Sequence, residues 1–297
     1  MPRTESLVAA AEELLDGVMA DPWRARGQAE ALLVRSRRAG DVTARVVTHR
    51  VLGLAARECH EPAVAVGHLR RSVALATRHR LARRAAESRM SLALALDDVG
   101  RPAAALREID RAVAGLTGVG RARATMQRAI ILRRTGREEE ALRAYDQALA
   151  AFRRAGDSLW QARALTNRGV LRAYRGVLAG AERDLRAAER IYVDLGQDAA
   201  VAQVRHNLGF VAAQAGDVPR ALAWYDRADV YFRRNGRPAV ALLDRAELLM
   251  SARLWPEARQ AAREAAQASA GSRMGLVLPQ ARLLEAQAAL AAGDPAG

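Results

Sequence analysis

The chain of 297 residues contains no lysine; all 47 of its basic side chains are arginine. That absence removes whole classes of chemistry. A P-loop needs Gly-Lys-Ser/Thr, a Schiff-base enzyme needs a lysine amine, and a kinase-type site needs its strand lysine. Cysteine is almost as scarce, since the single Cys59 excludes an internal disulfide and fits a reducing, cytoplasmic setting. Aromatic residues make up 4%, too few for a fold built on strand-forming side chains. No apolar run reaches membrane-spanning length, and the opening MPRTESLVAAAEELL lacks the basic-then-apolar layout of a secretory signal.

Catalytic and metal motifs are missing as well. There is no G-x-S-x-G elbow, no paired-cysteine zinc motif and no H-E-x-x-H. Cys59 and His60 are adjacent, but neighbours on a chain rarely point at each other, and the pair reads as a turn. His49, His68 and His79 are scattered and read as structural or surface residues. The sequence therefore predicts no enzyme, no cofactor and no metal site.

What is present is alanine, leucine and arginine, the strongest helix formers. The net charge of +14 is uneven. Residues 1–120 carry 19 arginines and 14 acids, residues 121–175 carry 13 and 5, and residues 176–297 carry 15 and 14. The exclusive use of arginine reads as the codon habit of a GC-rich bacterial genome. It inflates the isoelectric point without itself implying a nucleic-acid partner.

The positive signal is a repeat. A small residue recurs at Gly53, Ala93, Ala129, Gly169, Gly209 and Ala246, at intervals of 40, 36, 40, 40 and 37. Twelve residues beyond each lies an alanine, and seven beyond that another small residue, as in Ala221 and Ala228. Between those two columns stands a mostly large residue, namely Leu69, Ile109, Tyr145, Leu185 and Tyr225, with Ala262 the exception. Small columns on two helices allow close backbone approach. The large residue is expected to fill the gap beside the next repeat. Turns such as VGRP, RTGR and QAGDVP supply a glycine stop and an Asp or Pro start. Each unit reads as a helical hairpin that must stack on its neighbours to bury its apolar face.

The order of residues in NLGFVAAQAGDVPRALAWYDRA resembles the tetratricopeptide repeat, TPR, with its period stretched in second helices and inter-repeat loops. The resemblance implies an all-α, right-handed superhelical solenoid of TPR-like antiparallel helix hairpins. Residues 1–42 are expected to form a degenerate N-terminal hairpin, residues 43–270 six repeats, and residues 271–297 the first helix of a further, truncated repeat. An uncapped face on that last helix could pair with another copy. ALTNRGVLRAYRG, QVRHNLGFVAAQAGDVPRAL and LLDRAELLMSARLWPEAR are also similar to the N-terminal repeat region of bacterial CHAT-domain proteins, in which a caspase-like domain follows the repeats.

First helices line the concave face of such a solenoid, its usual binding surface. Two residues before each small anchor lie Val51, Ser91, Gln127, Asn167, Asn207 and Asp244, a polar ladder from Ser91 onward. Around it fall Arg123, Met126, Arg133 and Arg134, then Arg163 and Tyr174, then Gln203, His206 and Phe210. Amides suit an extended peptide backbone, arginine forks suit carboxylates, and Tyr174, Phe210 and Met126 offer apolar anchors. Asn167 and Asn207 could instead bond neighbouring helix ends, and Arg133 and Arg134 could form a solvated surface run. Trp160, Trp224, Tyr225 and Tyr231 read as packing residues. Leu54 and Leu94 stand where carboxylate clamps for chaperone tails place asparagine, which disfavours that ligand.

The expected function is non-catalytic binding of a protein or peptide, acidic in character, in the concave groove. By the family resemblance, the module would regulate or scaffold a downstream caspase-like domain. Two alternatives stay open: the sensor part of a transcription regulator, and nucleic-acid binding through residues 121–175. The second is disfavoured by the lack of a helix-turn-helix and of aromatics at stacking positions.

Overall fold

The computed structural model describes residues 6–236, 238–269 and 277–293. Among them every regular element is an α-helix. The chain divides into two compact units, residues 1–157 and 158–297, and each is built the same way.

The first unit holds four antiparallel hairpins. They are α1 (Leu7–Gly17) with α2 (Pro22–Arg38), α3 (Val42–Glu58) with α4 (Pro62–Arg78), α5 (Ala82–Asp98) with α6 (Pro102–Gly115), and α7 (Gly118–Arg134) with α8 (Glu138–Ala155). The second unit holds α9 (Ser158–Tyr174) with α10 (Leu178–Asp194), α11 (Asp198–Gln214) with α12 (Val218–Asn235), α13 (Ala239–Ser251) with α14 (Trp255–Ser269), and then α15 (Val277–Ala291). Within each unit consecutive helices pack in sequence, and the first helices of neighbouring hairpins touch side by side. This is the helical-repeat solenoid layout that the periodicity implies.

Local chemistry sets the punctuation. Asp21, Asp41 and Asp217 each accept a backbone N–H three residues on, capping α2, α3 and α12. Proline opens α2, α4 and α6. Turns such as those at Gly100, Gly136, Gly176 and Gly216 run through the left-handed region, with φ near +70° to +76°. His60 and Arg80 take the same role in the first unit and Arg253 in the second, with φ of 59°, 55° and 60°. A 40-residue period is thus two 17-residue helices and two three-residue turns, as in α3 and α4. The extra length expected in inter-repeat loops is not found in those whose residues are all described, which are as short as the turns inside hairpins. The shorter 36-residue interval comes from α6, which has only 14 residues, and from the two-residue loop that follows it.

The small columns are the seams of the packing. Ala65, Ala105, Ala141, Ala181, Ala221 and Ala258 are all fully buried. The large residue between the second-helix columns seats on the small residue of its own hairpin, not solely beside the next one. A Cβ added at Gly53 would lie 2.4 Å from Leu69 Cγ, one at Gly169 2.9 Å from Leu185 Cγ, and one at Gly209 2.4 Å from Tyr225 Cε1. Leu69 also belongs to the same apolar cluster as Ala86, Leu92 and Ala93 of the following hairpin, so it serves both contacts.

Candidate functional site

In the first unit the ladder positions are consumed by the fold. Val51 is fully buried. Ser91 is buried and accepts from Arg50 Nε at 2.9 Å, tying α3 to α5. Gln127 is buried and its Nε2 donates to the Met90 carbonyl at 2.7 Å, tying α7 to α5. Met126 is buried in packing. Arg123 faces Asp157 at 3.4 Å and, with Arg50, Leu54, Arg84, Glu87 and Met90, lines a cleft of about 970 Å³. Within the cleft Glu87 receives Arg50 at 3.4 Å and Arg84 at 3.2 Å, and Arg84 also bonds Glu12. Burial pushes the Arg50 pKa down, against the pull of Glu87.

The two arginines at the end of α7 differ. Arg133 lies against the buried Tyr145 hydroxyl, whose pKa burial pushes up to about 12. Arg134 is exposed and reaches across to Asp97 at 2.5 Å. Residues 121–175 are divided between the two units, and Arg128, Arg134, Arg137, Arg168 and Arg172 among them are paired with carboxylates.

In the second unit the first helices leave an open face. Arg163, Asn167 and Tyr174 lie along one side of α9, and Gln203, Asn207 and Phe210 along the matching side of α11. Tyr174 is 66% exposed, and its ring meets Phe210 across the helix pair with centroids 5.2 Å apart. The amides bond only within their own helices, Asn167 Nδ2 to the Arg163 carbonyl at 2.9 Å and Gln203 Nε2 to Asn207 Oδ1 at 3.4 Å. Among the described residues neither asparagine bonds a neighbouring helix end, so each keeps donors and a lone pair toward solvent. Arg163 lies over the Trp160 ring at 4.8 Å.

His206 departs from this face. It is buried, pairs through Nε2 with Asp244 Oδ2 at 2.8 Å, and stacks on Tyr225 at 4.9 Å. The pair ties α11 to α13, the job that Arg50–Ser91 and Gln127–Met90 perform in the first unit. Met126, Gln127 and His206 are buried and so are not surface residues open to a ligand, and the two polar side chains are spent on partners inside the fold. Trp224 and Tyr225 are buried as packing residues.

One juxtaposition was not apparent in the sequence. His49 on α3 and His68 on α4 meet with Nδ1 atoms 3.1 Å apart and rings 5.3 Å apart. Burial, then the neighbouring histidine, pushes His49 down to about 4. Their 19-residue separation across one hairpin turn is the signal the sequence offers for it. Among the described residues no group of three His, Cys, Asp or Glu side chains could hold a metal ion. Cys59 caps α3 beside the left-handed His60, and burial raises its thiol pKa, the reverse of what a nucleophile needs.

Residues 120–192 match the tetratricopeptide repeat family. No curated protein of similar sequence was found. Among solved structures, a tetratricopeptide repeat protein from Parabacteroides merdae is similar at a TM-score of 0.64 and 14% identity, over 94% of this chain and 99% of that one. BtubC (BKLC) from P. vanneervenii gives a TM-score of 0.57 and 23% identity over 78% and 93%. A Rap protein complexed with competence and sporulation factor gives 0.64 and 14% over 100% and 89%. At these identities the likeness is one of fold. No helix among the described residues is long and apolar enough to cross a membrane.

Proposed function

We propose that the protein is a non-catalytic interaction module and that the open face of α9 and α11 receives an extended peptide segment of a partner. The observation that carries this reading is the exposed Tyr174 ring seated against Phe210 and flanked by amides with unused bonding capacity. An exposed aromatic pair offers rigid apolar area, and asparagine amides match alternating peptide N–H and C=O groups. Arg163 at one end of the face favours an acidic residue in the ligand. The complex between a Rap protein and competence and sporulation factor supports the reading as a precedent for the fold.

The test begins with a random-peptide display selection against the intact protein. Selected peptides are then titrated calorimetrically into wild type, Tyr174→Ala, Asn207→Ala and, as a control away from this face, Trp23→Ala. Loss of binding by tenfold or more in the first two variants alone, about 1.4 kcal/mol, is expected. Equal binding to all four proteins would sink the assignment. The resemblance of residues 164–176, 203–222 and 242–259 to CHAT-protein repeats extends the reading to a regulatory arm of a caspase-like protein, and intact mass from source cells tests that extension.

A further inference from the structure

The hairpin topology of the first unit sorts its charge onto one edge. Antiparallel pairing places the junctions α2/α3, α4/α5 and α6/α7 and the end of α8 on one side, and the turns inside the hairpins on the other. Each junction can be taken from the last four residues of one helix to the first four of the next. On the junction edge these are residues 35–45, 75–85, 112–121 and 152–157, which carry eleven arginines and two aspartates. The opposite edge, residues 14–25, 55–65, 95–105 and 131–141, carries six arginines and nine acids. One of the two aspartates on the basic edge, Asp41, is spent capping α3.

This segregation is not what helix stability asks for. Arginines in the last turns of α2, α4 and α8 suit the negative ends of those helices. The same edge also holds the positive ends of α3, α5 and α7, where acids would be favoured, yet none of the three has an acidic residue in its first turn. Arg83 and Arg84 occupy the first turn of α5 instead, and Arg121 that of α7. Arg37, Arg38, Arg78, Arg80, Arg121 and Arg154 are exposed, and no carboxylate among the described residues pairs with them. None of the exposed large apolar side chains falls in these junctions.

We infer that this edge binds the phosphate backbone of a nucleic acid without reading its sequence, a role separate from peptide binding by the second unit. A protein interface needs an apolar, aromatic-rich centre, which the edge lacks. Backbone phosphates need only a line of forked cations free to exchange counterions. The site is this edge and not the 121–175 segment, since only Arg121, Arg153 and Arg154 of that segment lie on it.

Fluorescence anisotropy with a labelled mixed-sequence DNA duplex tests the inference on the whole protein, as sodium chloride is raised from about 50 to about 200 mM. The edge variant is Arg38→Gln/Arg78→Gln/Arg154→Gln. A control with the same charge loss is Arg70→Gln/Arg101→Gln/Arg143→Gln, and circular dichroism checks that both remain helical. Wild type should bind in roughly the micromolar range, weakening steeply with salt. The edge variant should bind at least tenfold more weakly, with its log–log salt slope shallower by about 2.7, or about 0.9 for each phosphate that an arginine no longer neutralises. The control should stay within about twofold of wild type. Absence of binding at the lowest salt, or equal loss in both variants, would overturn the edge site. Displacement by polyglutamate as effective as by unlabelled DNA would assign the edge to an acidic polypeptide and overturn the nucleic-acid reading.

Discussion

Replacing Gly209 by alanine gives the sharpest test of how the hairpins are packed. In a helix interior the change favours the folded state by about 1 kcal/mol, because alanine restricts the unfolded chain and glycine does not. Here the added Cβ would lie 2.4 and 2.5 Å from two Tyr225 ring carbons and 3.2 Å from the Ala221 carbonyl oxygen. The ring has little freedom to retreat. It is 3% exposed and stacked on His206, which is itself held by Asp244. Overpacking at a site that cannot relax costs about 1–3 kcal/mol, and the carbonyl contact places this one in the upper part of the range. The net expectation is a destabilisation of about 1–2 kcal/mol, or roughly 2–8 °C in the melting temperature of a unit this size.

Gly53→Ala supplies the comparison. Its new Cβ meets the buried Leu69 side chain, 2.4 Å from Cγ, with no backbone atom among its three nearest contacts. The propensity gain then offsets more of the clash than at Gly209, and the net destabilisation should be the smaller of the two. Because stacked repeats need not unfold together, hydrogen exchange across α11 and α12 should accompany the thermal melts. Gly209→Ala/Tyr225→Leu should recover much of the loss, since it recreates the alanine-with-branched-aliphatic pairing of Ala93 and Ile109. A Gly209→Ala protein as stable as wild type, or one no worse than Gly53→Ala, would refute the seam argument.

Two further outcomes follow from the turns and the buried histidines. His60 and Arg253 sit at φ of 59° and 60°, where an L side chain is strained by about 1–2 kcal/mol, so His60→Gly and Arg253→Gly should each stabilise by about 0.5–1 kcal/mol after the unfolded-state entropy of glycine is counted; a loss in urea melts contradicts this. His49, held near 4 against an ordinary 6.5, favours the neutral ring in the fold. Its contribution is complete above pH 6.5 and is lost as pH falls through that value toward 4, about 3 kcal/mol in all. Urea unfolding at about pH 7 and about pH 5 should therefore show a smaller acid loss in His49→Gln than in wild type, and identical losses would remove the histidine pair as the cause.

Much of this architecture is legible in one dimension because it is made locally. Helix length, the Gly or left-handed stop, and the Asp or Pro start each depend on a few successive residues. The small columns survive in the sequence because a close seam admits so few side chains, as Gly209 beneath Tyr225 shows. The polar ladder is legible as a column, yet its members do different work. Ser91, Gln127 and Asp244 complete bonds between hairpins, while Asn167 and Asn207 bond only inside their own helices and face outward.

The sequence by itself determined that the chain forms helices, that they pair into hairpins, and where each hairpin turns, since those outcomes follow from backbone preference and short-range periodicity. Only the tertiary structure decided which polar side chains remain available. A bond such as Arg50 to Ser91 or His206 to Asp244 joins residues 41 and 38 positions apart, and its existence depends on the offset between stacked hairpins. The tertiary arrangement likewise turned an uneven scatter of arginines into a basic edge, because antiparallel pairing gathers the ends of alternate helices whose residues are far apart in sequence.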